Sequence, residues 1–271
     1  MATEDVFVLH NGVKIPSIGF GTWQIPNDEA YDAVTAALKN GYRHIDTAMS
    51  YRNEKEVGRA IREFDLPRED IFLTSKLRAS IKDYDAVFEA FEKSRTDLDV
   101  DYIDLWLIHA PWPWDEKGAD YTEGNIQAWK AMEKLYNEGK IRSIGVSNFS
   151  ESDIQALLDN CNIVPMVNQI PFYIGRDQES LLDFCEKHNI VVEAYSPLAT
   201  GELLDHPEVK KLAEKYGVTV AQLAIRYCLE RNTLPLPKST HESRIIENKQ
   251  VDFTISPEDM DKLNAIEDVR K

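Results

Sequence analysis

Short apolar runs and segments of helical periodicity take turns along most of the chain. After Pro16, Ser17-Ile-Gly-Phe20 reads as a strand, and Tyr31, Val34, Ala37 and Leu38 then fall on one face of a helix over 28–40 that Gly41 stops. His44-Ile-Asp46 is a short strand followed by a helix over 54–63, with Val57, Ala60 and Ile61 on one side. The alternation continues with strands over 71–76, 103–109, 141–147, 164–169 and 190–195. The intervening helices run over 83–98 and 125–138, from Ser150, and over 177–188. Two helices, 208–216 and 220–230, precede a last strand at 234–237. Helices over 243–249 and from Ser256 to about 267 close the pattern. Ahead of all this, Val6–Leu9 and Val13–Ile15 flank Asn11-Gly12, the signature of a tight hairpin.

Counted from Ser17, eight strand-then-helix units predict a parallel sheet covered by helices, closed as an α/β (β/α)8 TIM barrel. An N-terminal hairpin and extra C-terminal helices are added to it. The alternative, an open doubly wound sheet, calls for Gly-x-Gly-x-x-Gly after its first strand. Gly19-Phe-Gly21 supplies only the first two of those glycines. No Gly-, Pro- or Ser-rich linker divides the 271 residues, so residues 1–271 are expected to form one domain.

Composition narrows the function classes. With 43% hydrophobic and 29% charged residues the chain is of ordinary globular type. A net charge of −16 argues against nucleic-acid or anionic-membrane partners. No apolar run is long enough to span a bilayer, and the start lacks the pattern of a signal peptide. Cys161, Cys185 and Cys228 are scattered and read as reduced thiols of a cytoplasmic protein. No metal is expected, because no Cys or His pair has ligand spacing. A monomer is expected, with a dimer as the alternative.

In a barrel, functional groups sit where strands end. The predicted strands end in Asp46, Lys76, His109, Ser147-Asn148, Asn168-Gln169, Tyr195-Ser196 and Lys238-Ser239. Each has an ordinary explanation when taken alone. Asp46 can cap a turn, Lys76 can extend over the surface, His109 can be a structural histidine, and Ser147-Asn148 can cap the next helix. Together they point at one mouth. Tyrosine, with a pKa of about 10, is a poor acid at neutral pH. A neighbouring ammonium such as Lys76 is expected to lower that value for Tyr51, with Asp46 holding the lysine charged. A neutral His109 can orient a carbonyl oxygen. The four form a proton-donating pocket without an activated nucleophile. Gly145-Val-Ser-Asn-Phe149 lacks the last glycine of a serine-hydrolase elbow. Such a pocket suits hydride transfer from a cofactor.

The chain resembles the aldo-keto reductases, in particular short prokaryotic-type members, over essentially its whole length. The resemblance is carried by Gly41-Tyr-Arg-His-Ile-Asp-Thr-Ala48 with Tyr51-x-Asn-Glu54, by Ile141-Arg-Ser-Ile-Gly-Val-Ser-Asn-Phe149, and by Leu236-Pro-Lys-Ser239 followed by Arg244 and Glu247-Asn248. It implies an NADP(H)-dependent reductase of small-molecule carbonyl substrates, with Tyr51 as general acid, Asp46 and Lys76 tuning it, and His109 orienting the carbonyl. It also implies that Ser147, Asn148 and Gln169 hold the nicotinamide carboxamide while Tyr195 stacks on the ring. Ser196 and Leu198 would meet the pyrophosphate. Lys238, Ser239 and Arg244 would surround the adenosine 2′-phosphate, with Glu247 and Asn248 at the adenine. Thr22, Trp23, Asp46 and Thr240 complete the implied cofactor contacts. Two cations and a hydroxyl at a helix start are themselves a site for a dianion.

Two departures bear on substrate. Ala110 stands where several members place an aromatic, so Trp112 or Trp114, with Trp23 opposite, is expected to wall the pocket beside Tyr51 and His109. The acidic loop over 115–123 is expected to disfavour anionic substrates. The chain ends soon after its last helix, from which an open pocket for aldehydes, dicarbonyls and keto sugars is expected. A nucleotide-binding regulatory subunit with little turnover is the competing function.

Overall fold

The computed structural model describes residues 6–270. Strands β1 (Val6–Val8) and β2 (Lys14–Pro16) pair antiparallel as the Asn-Gly hairpin. Eight parallel strands follow: β3 (Phe20–Gly21), β4 (His44–Asp46), β5 (Phe72–Leu77), β6 (Ile103–Ile108), β7 (Ile141–Ser147), β8 (Val167–Pro171), β9 (Val191–Tyr195) and β10 (Leu234–Leu236). Each pairs with its sequence neighbour. The ring closes where the Gly19 and Gly21 amides donate to the carbonyls of Pro235 and Pro237, at 3.1 and 2.9 Å. A Cβ on Gly19 would collide with Leu236 and His44. The two glycines therefore serve barrel closure, and the sheet is a (β/α)8 barrel rather than an open one.

Every residue of β5 and β6 is buried, as expected for strands covered on both faces. The covering helices are α1 (Asn27–Lys39), α2 (Glu54–Glu63), α3 (Tyr84–Leu98), α4 (Thr122–Asn137), α5 (Glu151–Asn160), α6 (Glu179–Lys187), α7 (Pro207–Tyr216) and α8 (Val220–Glu230). α9 (Glu242–Glu247) and α10 (Pro257–Asn264) complete the chain. Ser150 and Thr219 start α5 and α8 with reciprocal capping boxes to Asp153 and Gln222. Boundaries shift by a few residues from those expected: the first barrel strand begins at Phe20 and the sixth at Val167. Single turns of 3₁₀ helix at Met49–Tyr51 and Trp114–Glu116 were not legible in the pattern, since three residues carry no periodicity.

Candidate active site

Parallel strands bring Asp46, Lys76 and His109 to one end of the barrel, and the 3₁₀ turn after β4 carries Tyr51 over it. Lys76 is fully buried. Its ammonium donates to Asp46 Oδ1 at 2.6 Å, to the Thr47 carbonyl at 3.0 Å and to the Tyr51 phenol oxygen at 3.2 Å. An ammonium has three donors, and all three are placed. Burial opposes its charge, but the Asp46 carboxylate and the Tyr51 oxygen outweigh burial and raise its pKa. Because Tyr51 accepts from Lys76, its own proton is left for another acceptor.

The structure corrects one expectation about Tyr51. Lys76 pulls its pKa down, but burial of the phenolate is the larger effect, and Asp46 adds to it, so the net value is raised. His109 is pushed down to about 3 by burial and by the Lys76 charge, so it is neutral at working pH. Its buried Nδ1 has no partner among the described residues. The Tyr51 and His109 rings meet edge to face at 5.7 Å, His109 and Trp114 at 5.5 Å, and Trp114 and Trp112 at 5.2 Å. Lys82 holds the tryptophan loop: it donates to the Ala110 carbonyl at 2.8 Å and to Asn125 at 2.6 Å, and Asn125 donates to the Pro111 carbonyl at 2.9 Å. Trp23 is half-exposed after β3 and makes no ring contact with this group.

A second cluster adjoins the first. The Ser147 hydroxyl donates to the main-chain carbonyl of Gln169 at 2.8 Å. The Asn148 amide donates to the His109 carbonyl at 3.0 Å and accepts from the Tyr195 hydroxyl at 2.7 Å. Ser147 and Asn148 therefore leave the capping of α5 to Ser150. Gln169 Nε2 bridges two acids, donating to Asp46 Oδ2 at 2.8 Å and to Glu193 Oε2 at 2.7 Å. Thr22 donates to the Asp46 carbonyl at 2.9 Å. Asn148 and Ser196 hold left-handed backbone, with φ of 60° and 52°. Ser196 and Leu198 lie beyond β9; Lys238, Ser239 and Thr240 follow β10; Arg244, Glu247 and Asn248 are on or just after α9. No hydrogen bond or ring contact joins this last group to the cluster of Asp46, Tyr51, Lys76 and His109. α9 has six residues, with Glu242 in its first turn and Arg244 in its last. The helix-start argument for a dianion therefore falls away, and the charge case rests on Lys238 and Arg244. Both are exposed, and neither side chain has a hydrogen bond or ion pair among the described residues.

A model of the aldo/keto reductase family matches residues 17–268. The chain belongs to the aldo-keto reductase family. It is 45% identical to a glyoxal reductase of Bacillus subtilis over 265 residues, covering 97% of this chain and 93% of that one. It is 41% identical to a prostaglandin endoperoxide reductase of Trypanosoma cruzi, over 97% of this chain and 92% of that one. The crystal structure of an aldo/keto reductase from Brucella melitensis superposes with a TM-score of 0.91 at 42% identity, covering 97% and 98% of the two chains.

This aldo-keto reductase also carries buried groups that sequence reasoning missed. Glu193 lies two residues before Tyr195, hence on the same inward face of β9, and that spacing was the available signal. Burial first, and then the Asp46 charge, push it up to about 8. His44 sits 3.7 Å from its other oxygen and is itself lowered to about 3, chiefly by burial. Between its ordinary 4.5 and about 8, Glu193 keeps a proton in the folded chain that the unfolded chain has released. The group therefore withdraws stability as pH rises through that window. Glu193→Gln is expected to flatten the fall in urea midpoint between about pH 5 and pH 8. Parallel pH slopes in the variant and the parent would remove Glu193 from this role. Asn53 and Glu54 of the first motif prove to be braces. Asn53 ties Thr47 to the carbonyls of Thr22 and Ile25, and the Glu54 carboxyl accepts from Ser75 and Ser94.

Proposed function

We propose that the protein reduces aldehydes and ketones with NADPH, Tyr51 giving the proton. The observation that carries this reading is the Lys76 ammonium, bonded at once to Asp46 and to the Tyr51 oxygen, beside a neutral His109 whose ring meets that of Tyr51 edge to face. When bound, the dihydronicotinamide supplies the hydride. The chain does the rest. His109 hydrogen-bonds the substrate carbonyl oxygen, and Tyr51 donates its proton to that oxygen as negative charge develops there. An alkoxide is far more basic than a phenolate, so a Tyr51 with a raised pKa still transfers its proton downhill. Lys76 stabilises the phenolate that remains, and Asp46 keeps Lys76 in place.

The residues fit the cofactor. Both Gln169 amide hydrogens are taken by Asp46 and Glu193, which leaves its carbonyl oxygen to accept from a carboxamide NH₂. Unpartnered Lys238 and Arg244, on a chain of net charge −16, fit a phosphate dianion. Lys238→Ala and Arg244→Ala are each expected to raise the NADPH KM about 10- to 100-fold, the worth of a charge-assisted hydrogen bond. The NADH KM should move little. Equal effects on both cofactors would defeat the 2′-phosphate assignment. Similarity to the glyoxal reductase of Bacillus subtilis makes dicarbonyls the first choice, and NADPH consumption by the purified protein with methylglyoxal tests the whole reading. Nucleotide binding without turnover across a broad carbonyl panel would favour a regulatory subunit instead.

A further inference from the structure

Most arginines on this acidic chain are engaged. Arg59, Arg62, Arg68, Arg95 and Arg142 each pair with a carboxylate. Arg52 and Arg78 do not. Both are exposed, and neither side chain has a hydrogen bond, ion pair or ring contact among the described residues. Arg52 directly follows Tyr51, in left-handed backbone at φ 59°, and Arg78 comes two residues after Lys76. The elements that deliver the proton-donating pair thus also deliver two free guanidinium groups to the barrel mouth.

The two arginines line the same two hollows, of about 230 and 390 Å³. The smaller is completed by Ser50, Ser80, Trp114 and Asp115, so it reaches the tryptophan whose ring lies 5.5 Å from His109. The larger contains Lys55 as a further cation. Its acids are already engaged: Glu54 by Ser75 and Ser94, and Asp97 by Lys93, which lines the same hollow. The acidic loop over 115–123 sends only Asp115 to these walls. Glu116 accepts from Tyr121, Asp120 from the Thr122 amide, and Glu123 from Gln127. The expected bias of that loop against anions is opposed at the mouth by positive charge.

We infer that Arg52 and Arg78 form an oxyanion subsite for the far end of the substrate, so that the enzyme favours carbonyl compounds bearing a carboxylate or phosphate. The inference rests on the reductase reading and names its substrate class. Unpaired guanidinium forks match both anions in bidentate geometry, and an approach lined with them also draws anions to the mouth.

The test compares kcat/KM, with NADPH, for matched pairs: para-carboxybenzaldehyde against its methyl ester, and glyceraldehyde phosphate against glyceraldehyde. The anionic member is expected to be favoured about tenfold or more in at least one pair, and the pair that shows it assigns the tail as carboxylate or phosphate. The preference should shrink with added salt. Arg52→Gln with Arg78→Gln should bring the ratio to about one, Arg78→Glu should invert it, and Asp115→Asn should raise it. Neutral members favoured in the parent, or a ratio unmoved in the double variant, would overturn the subsite while leaving the reductase standing. Failure of every substrate, neutral ones included, would overturn the reductase reading and the subsite with it.

Discussion

Tyr51→Phe is expected to lower kcat by about 10²–10⁴-fold, the range a positioned general acid contributes, with the Kd for NADPH unchanged. The substitution removes one oxygen and little else. The ring keeps its edge-to-face contact with His109 at 5.7 Å, and the 3₁₀ turn that carries it needs nothing from the hydroxyl. Lys76 loses one of three acceptors and keeps Asp46 and the Thr47 carbonyl. A modest loss of stability, about 1–3 kcal/mol for one unmet buried donor, should accompany the loss of rate. Single-turnover reduction with saturating NADPH separates the two effects, because a folded variant that binds nucleotide but fails to reduce isolates the proton. Wild-type turnover in Tyr51→Phe would assign the proton to another group.

The barrel was legible because its strands are buried on both faces and its helices on one, so apolar runs and helical spacing separate cleanly along the chain. The grouping of Asp46, Tyr51, Lys76 and His109 was legible for a related reason. Polar residues that end apolar strands, such as Asp46 and Lys76, need partners, and parallel topology delivers them to one end. What escaped detection depends on three-dimensional balance. Tyr51 has Lys76 beside it, as expected, yet ends with a raised pKa, because burial outweighs one ion whose charge Asp46 partly cancels. Glu193, an acid within an apolar strand, was passed over; only the structure links it through Gln169 to Asp46. Arg52 and Arg78 carry no sequence pattern that marks them, and only the structure shows that they line the same hollows with no side-chain partner among the described residues. Asn53 and Glu54, carried by the motif beside Tyr51, hold the loops under it and never reach the reacting atoms.

Lys76→Met separates the structural from the chemical work of the ion pair. The ammonium and the Asp46 carboxylate lie 2.6 Å apart, almost wholly out of water. Removing one partner of such a pair costs about 3–5 kcal/mol, because the other charge is left buried and unanswered. Here the penalty should deepen with pH. Gln169 holds Asp46 and Glu193 to the same amide, and without Lys76 two carboxyls share a site that has no cation. Glu193 already keeps a proton in the parent that the unfolded chain gives up, and Lys76 restrains that rise; without the cation its pKa climbs further, so stability falls more steeply with pH than in the parent. Adding Asp46→Asn should restore most of the loss, since the paired deletion removes the stranded charge. It should not restore turnover, because Tyr51 still lacks the cation that stabilises its phenolate. Urea unfolding at two pH values and NADPH-dependent reduction, measured on both single variants and the double, resolve these expectations. If stability and activity recovered together in the double variant, Lys76 would be a packing element rather than the group that makes Tyr51 an acid.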